Sequence, residues 1–208
     1  MNEWWLLLVL PVGAYLIGSI PFCFLAGKAS GVDLRTVGTG NPGAGNLRRV
    51  VGFPAALTAG LLDGFKGLFV VLALLGKVPD AVLVVTALAT VVGHNWSIFL
   101  GFRSGRGLAT AAGVVLAISP LLLLWPTGWA IAGWWIGGGV AGFIGWTALP
   151  FVAALVDVPQ VAVPVTAGLA VLILIRRIQG NSDAVPGWHA AARRILFDTD
   201  RAVSKLDR

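Results

Sequence analysis

MNEWWLLLVLPVGAYLIGSIPF, residues 1–22, carries one charged side chain, Glu3, and is then apolar as far as Phe22. Such a run approaches the ~20 residues that a helix needs to cross the hydrocarbon core of a bilayer. It lacks the basic start of a secretory signal, so it reads as a retained membrane helix. The remaining sequence has the same character. The 208 residues are 57% hydrophobic and 12% charged, with a mean hydropathy of +0.88, whereas soluble domains are about a quarter charged. So little polar surface could not cover a soluble core, and the sequence predicts an all-α integral membrane protein.

About seven transmembrane helices are expected, over roughly 4–26, 54–76, 80–100, 107–124, 126–139, 141–156 and 159–176. No charged residue lies between Leu121 and Leu155, so the boundaries there rest on Pro126, the Gly137 to Gly139 run and Pro150. With seven spans, Lys28, Arg35, Arg48, Arg49, Arg103, Arg106 and the tail from Arg176 fall on one side, against Lys77 alone on the other. The positive-inside rule makes the first side cytoplasmic, which puts the N-terminus outside and the C-terminus in the cytoplasm. Residues 1–186 form a polytopic membrane domain. Residues 187–208 form a basic cytoplasmic tail, either an amphipathic helix on the inner leaflet or a solvated segment. The net charge of +6 is dispersed over membrane loops, which argues against nucleic-acid binding. The single Cys23 excludes an internal disulfide, and it reads as a small buried apolar residue.

Two polar loops share the cytoplasmic side. In GTGNPGAGNLRR, residues 38–49, glycines permit sharply turned backbone whose N–H groups converge on an anion. Thr39, Gly40, Asn41, Gly43 and Asn46 line that segment, and Arg49 adds a guanidinium fork suited to phosphate. In GHNWSIFLGFRSGRGLATAAGV, residues 93–114, Ser104, Gly105, Arg106 and Gly107 stand immediately before an apolar helix. Backbone amides, a helix N-terminus and a guanidinium could face one oxyanion there. Each loop taken alone is equally an interfacial turn. Neither is a P-loop, because no Gly-Lys-Ser or Gly-Lys-Thr follows.

Asp63 and Lys66, in LLDGFKG, lie three positions apart on one helical face and read as a mutually neutralising intramembrane pair. His94 sits at the end of an apolar span, and no second histidine or carboxylate at ligand spacing suggests a metal.

GSIPFCFLAGK, VDLRTVGTGNPGAGNLRRVVG, LLDGFKG and GHNWSIFLGFRSGRGLATAAGV together resemble, in order and spacing, the signature segments of the bacterial acyl-phosphate-dependent glycerol-3-phosphate acyltransferases, the PlsY family. The resemblance covers about the first 120 residues. It implies a seven-helix enzyme of the bacterial inner membrane with a cytoplasmic active site and no metal or cofactor. Its substrates are acyl phosphate and glycerol 3-phosphate, and its products are lysophosphatidate and phosphate. Carried over to this chain, Thr39, Asn41 and Arg106 are catalytic. Gly40, Gly43, Asn46, Arg49, Ser104, Gly105 and Gly107 bind phosphate, and Asp63, Lys66 and His94 support them.

Several positions depart from the family. Thr39 replaces a serine, Arg106 replaces a lysine and Gly45 stands where threonine is common. The family's serine-bearing loop is here GGGVAGFIGWTALPF, residues 137–151, and its His-Arg-x-Asn-Ile ending is here LIRRIQGNSDAVPGW, residues 174–188, where the histidine is absent and Arg176 and Arg177 could retain a basic contact. A second reading therefore stands beside the enzyme: a non-catalytic relative that binds a phosphorylated lipid or transports a small anion. A transporter favours internal repeats, and none is evident.

Overall fold

The computed structural model describes residues 5–180 and Arg194. All regular structure among them is helical: α1 (Leu6–Ser19), α2 (Phe22–Ala29), α3 (Ala44–Val50), α4 (Phe53–Leu74), α5 (Asp80–Asn95), α6 (Leu108–Ile118), α7 (Pro120–Ile136), α8 (Gly138–Thr147), α9 (Leu149–Leu155) and α10 (Ala162–Gln179). Four stretches are long and apolar enough to cross a membrane: Leu6–Ala29, Phe53–Leu74, Asp80–Leu100 and Ala162–Gln179. The bent pair α8 and α9 makes a fifth, and α6 and α7 are shorter apolar helices. The outer surface is apolar, with Leu8, Phe69, Trp135, Phe151 and Leu155 all more than half exposed, as lipid-facing side chains are.

Some expected boundaries move. Pro126 lies inside α7 and does not end a span. The break falls instead at Ser119, whose extended backbone (φ −158°, ψ 110°) separates α6 from Pro120 at the start of α7. A proline one residue into a helix costs nothing, because that N–H has no intrahelical partner in any case. The first span also breaks, at Ile20 and Pro21, and continues as α2 to Ala29. The tail expected at 187–208 lies outside the described residues except for Arg194. Arg194 donates from Nη1 to the carbonyls of Ile178 (3.0 Å) and Gln179 (2.7 Å), capping the end of α10.

Small residues let the helices approach closely, the usual device where lipid removes the hydrophobic drive between them. A Cβ on Gly113 of α6 would overlap the Gly64 carbonyl of α4, and one on Gly67 would overlap the Thr110 carbonyl. Gly18 and Gly93 bring α1 and α5 together in the same way. The main core joins Val71, Leu83, Ala87, Val91, Val114, Leu149, Val165 and Leu169. A second cluster of Cys23, Leu34, Leu47, Ala56 and Ala59 fastens α2, α3 and the loop between them to the first half of α4.

Candidate functional site

The first glycine-rich segment is a turn followed by a short helix. Leu34 and Leu47, both fully buried, anchor its two ends. Between them Gly38 (φ +57°) and Gly40 (φ +77°) take left-handed backbone, which a Cβ disfavours. Gly38 is doubly constrained, because a Cβ there would collide with the Asn46 side chain. Asn46, read from the sequence as a phosphate donor, serves the loop itself. Its Nδ2 donates to the carbonyls of Leu34 and Val37 at 3.0 Å each, and its Oδ1 accepts from the Thr39 N–H at 2.9 Å. With both amide hydrogens committed and the residue buried, it shapes the turn and has no N–H for a ligand. The half-buried Thr39 accepts at Oγ1 from the Asn41 N–H (3.4 Å). Asn41 Oδ1 has no hydrogen-bond partner. Arg48 and Arg49, expected in a loop, occupy the last turn of α3 and are exposed.

The second segment leaves α5, makes a single 3-10 turn over Ile98–Leu100 and reaches Ser104 to Gly107 at the head of α6. Ser97 Oγ ties it to the Ser19 carbonyl at 2.6 Å. Arg176, near the end of α10, donates from Nη2 to the Ser104 carbonyl (2.6 Å), from Nε to the Gly105 carbonyl (3.1 Å) and from Nη1 to the Gly180 carbonyl. Gly105 packs against His94 Nε2 and Gly107 (φ +75°) against Asn95 Oδ1, so tightly that a Cβ at either would overlap. The Asn95 amide is fully buried and has no hydrogen-bond partner at either end. Arg106 is half-buried between these two glycines.

α4 brings the two segments together. A Cβ on Gly60 would lie 3.4 Å from Ala44 Cβ, the first residue of α3, and one on Gly64 would lie 3.4 Å from the Ala109 carbonyl, in the first turn of α6. Gly60 and Gly64 are one helical turn apart, roughly 6 Å along the axis. The helices that follow the two polar turns therefore begin side by side on one face of α4.

Below them lies a buried charged cluster. Lys66 Nζ contacts Asp63 Oδ1 at 2.6 Å and donates to the carbonyls of Gly18 (2.9 Å) and Ile20 (2.6 Å). Those oxygens lie at the end of α1, where the last carbonyls of a helix lack intrahelical partners, so the lysine supplies donors to them. His94 Nδ1 stands 3.2 Å from Lys66 Nζ and 3.5 Å from Asp63 Oδ1. The Thr110 hydroxyl donates to the Asp63 carbonyl (2.9 Å). Asp63, Lys66 and His94 thus join α1, α4 and α5, and the far edge of His94 bears on Gly105.

Charge on the loop side is predominantly positive. Its carboxylate Asp33 is held by Arg35 (2.7 Å) and Lys28 (3.0 Å). The hydrogen bond from Arg35 keeps the Asp33 carboxyl well below the usual carboxylate range.

Of the residues singled out in the sequence, the two glycine turns converge, and Asp63, Lys66 and His94 form one cluster behind them. Asn95 is not among them, and Arg176, with Arg177 a candidate basic contact at the family's last motif, is not placed at the second turn by the sequence. An arginine pair within an apolar helix was the available signal for Arg176, since intramembrane charges are functional candidates by default. Asn95 carried none beyond its place beside His94.

Comparison with known proteins adds to this geometry. A family model described as glycerol-3-phosphate acyltransferase matches residues 8–184. The glycerol-3-phosphate acyltransferase of Geotalea daltonii is 36% identical over 189 residues, 86% of this chain and 96% of the relative. Glycerol-3-phosphate acyltransferase 2 of Moorella thermoacetica is 47% identical over 122 residues, 58% of this chain and 62% of the relative. The crystal structure of PlsY (YgiH), an integral membrane glycerol 3-phosphate acyltransferase, in its glycerol 3-phosphate form superposes with a TM-score of 0.77 at 33% identity, covering 83% of this chain and 88% of that one. Its lysophosphatidic acid form gives 0.75 at 32% identity, with the same coverage.

Proposed function

The chain belongs to the glycerol-3-phosphate acyltransferase family, and we propose that it is an acyl-phosphate-dependent member acting at the inner face of the bacterial plasma membrane. It is a multi-pass membrane acyltransferase, and the non-catalytic reading is not favoured by its relatives. The carrying observation is the meeting of the two glycine turns on α4, at Gly60 and Gly64. Two phosphorylated substrates require two neighbouring anion sites, one at the donor phosphate beside the acyl carbonyl and one a glycerol backbone away, and two adjacent glycine turns, each leading into a helix, support that arrangement.

In this reading the 1-hydroxyl of glycerol 3-phosphate attacks the acyl carbonyl. The new ester C–O bond forms as the bond from the acyl carbon to the phosphate oxygen breaks, and the hydroxyl proton leaves with inorganic phosphate. Thr39, Asn41 and Arg106 face the reacting groups. Fixed donors at their positions stabilise the oxyanion of the tetrahedral intermediate. The Gly43, Ser104, Gly105 and Gly107 backbone and Arg49 hold phosphate, while Gly40, whose N–H is donated to the Val37 carbonyl (3.0 Å), and Asn46 shape the first turn and Asp63, Lys66 and His94 brace the second.

Seven passes are reached by counting α1 with α2, α4, α5, α6, α7, α8 with α9, and α10. Odd parity then puts the two glycine turns and the end of α10 on the same side, and the Arg176 bonds to Ser104 and Gly105 support that side for α10. Basic residues favour its being cytoplasmic, with the N-terminus outside.

The deciding experiment measures phosphate release and lysophosphatidate formation by purified protein, with acyl phosphate and glycerol 3-phosphate supplied together and separately. Turnover is expected only with both, and acyl-CoA should not replace acyl phosphate. Turnover with acyl-CoA alone as donor would overturn the donor assignment.

A further inference from the structure

Asn95, the last residue of α5, is fully buried, and neither its Oδ1 nor its Nδ2 has a hydrogen-bond partner among the described residues. We propose that Asn95 is a positioning residue for the second glycine turn. The turn closes onto its amide when a phosphate group occupies the head of α6, so the amide is paired in the loaded site and unpaired in the empty one. The inference rests on the phosphate role given above to the backbone of Ser104, Gly105 and Gly107, and it adds the residue that sets how tightly the turn holds its anion.

An amide buried without hydrogen bonds is unfavourable, and native proteins leave few such groups. Asparagine suits helix ends because its side chain can bond the backbone nearby. The side chain of Asn95 bonds none of it. The last turn of α5 is closed without it, by the Trp96 N–H on the Val92 carbonyl at 2.8 Å. Packing alone would be served better by leucine, which has nearly the same shape and no polar atom to desolvate.

The surroundings of the amide supply its partner. The hydrogen that Gly107 carries in place of a side chain points at Asn95 Oδ1, so closely that a Cβ there would overlap it. Beside this contact on α5 stands Val91, whose side chain has no polar atom. The partner therefore comes from the turn. Gly107 opens α6, a helix of 11 residues, and the first N–H groups of a helix have no intrahelical carbonyl to reach. The same N–H groups attract an anion, which brings the amide and the phosphate to bear on one short piece of backbone.

The two sides of the contact are held with different firmness. Asn95 follows His94, which stands against Lys66 and Asp63 of α4, so the place of the amide is fixed by the buried charged cluster. The turn is fastened at the carbonyls of Ser104 and Gly105 by Arg176. Gly107 lies beyond that clamp, with φ +75° and no Cβ to restrict its backbone. Closure is thus a movement of Gly107 against a fixed Asn95. A ligand shifts such an equilibrium only by the difference in its affinity for the two states, and pairing a buried amide in one state alone supplies that difference.

Asn95→Leu keeps the shape and removes the amide, and Asn95→Ala removes it without adding methyl groups against the turn. Full-length wild type and both variants are unfolded thermally in detergent, first without anion and then across titrations of inorganic phosphate and of glycerol 3-phosphate. Without anion, Asn95→Leu should unfold roughly 2 °C or more above wild type, because an unpaired buried amide is gone. The anion concentration that gives a set rise in midpoint should increase roughly fivefold or more in both variants for at least one of the two anions. An amide that only holds the fold together would move neither quantity in these directions. Either an unchanged anion response in both variants or anion-free midpoints well below wild type in both overturns the proposal. If wild type itself responds to neither anion, the phosphate role of the turn falls and the inference falls with it. If wild type responds and both variants match it, the turn keeps its role and Asn95 loses its own. If wild type responds but transfers no acyl group, the reaction assigned above fails, and the variants still decide the role of Asn95.

Discussion

Arg176 and Ser104 lie at opposite ends of the polar architecture in sequence, yet the Arg176 guanidinium donates to the Ser104 carbonyl at 2.6 Å and to the neighbouring Gly105 carbonyl at 3.1 Å. Both partners are buried. The last helix thereby fixes the backbone of the second glycine turn, and the two carbonyls turned towards Arg176 leave the adjoining N–H groups to face elsewhere. A guanidinium suits this task because it presents several donors in one rigid plane.

Arg176→Lys keeps the charge and loses the fork, so at least one buried carbonyl is left without a donor. Each such loss costs about 1–3 kcal/mol. The expected outcome is a lower thermal midpoint in detergent together with a raised KM for glycerol 3-phosphate. Arg176→Ala should be worse on both counts. A variant with a lower midpoint and unchanged KM would show that the clamp stabilises the fold without shaping the site.

Lys66→Met removes the donor from the carbonyls of Gly18 and Ile20 and strands the Asp63 carboxylate beside His94 alone. Breaking a buried ion pair from one side costs about 3–5 kcal/mol. Replacing both partners, in Asp63→Asn with Lys66→Met, removes the stranded charge and should recover part of that loss. Thermal unfolding of the two single variants and the double variant measures the coupling, and additive losses would contradict a mutually neutralising pair.

What could be read from the sequence followed from how local each signal was. Hydropathy located the long helices because about 20 apolar residues carry the signal within one segment. It misjudged the interval after Gly107, where Pro126 suggested a boundary and the break lies at Ser119. Proline marks a helix start as readily as an interruption, and nothing local distinguishes the two. The glycine turns were visible as residue types. Asn46 was assigned to a ligand because its commitment to Leu34 and Val37 depends on how the loop folds back. Arg176 reaches Ser104 only through tertiary packing, and no spacing rule connects residues so far apart.

The Asp33, Arg35 and Lys28 network makes the entrance to the first turn sensitive to acid. Asp33 has a folded-state pKa below its unfolded value of ~3.9. Its ionised form therefore contributes stability at every pH above that unfolded value, and the contribution is lost as pH falls towards the folded one. Comparing wild type with Asp33→Asn, the difference in thermal midpoint should be constant from neutral pH to about pH 5 and shrink below about pH 4. It should also be small, since exposed ion pairs contribute ~1 kcal/mol or less. A difference that vanishes already at pH 6 would show that another group governs the loop.

Three glycines that look alike in sequence should respond differently to substitution. Gly107 has φ +75° and its missing Cβ would overlap Asn95 Oδ1, so Gly107→Ala is strained in its backbone and crowded in its packing. The backbone term alone costs about 1–2 kcal/mol, and the turn must shift to relieve the overlap. Gly105→Ala drives a methyl group against His94 Nε2 and displaces the same turn from the other side. Gly45 differs from both, because it sits within α3 with nothing within 4 Å of its added Cβ. Gly45→Ala should stabilise the protein by about 0.5–1 kcal/mol. Gly45→Thr should also fold, and it returns the hydroxyl common at this position in the family, so turnover should be kept or raised. Thermal midpoints and the phosphate-release assay on all four variants test this ordering. Loss of activity in Gly45→Thr with Gly107→Ala unaffected would mean that the first turn, and not the second, is the crowded part of the site.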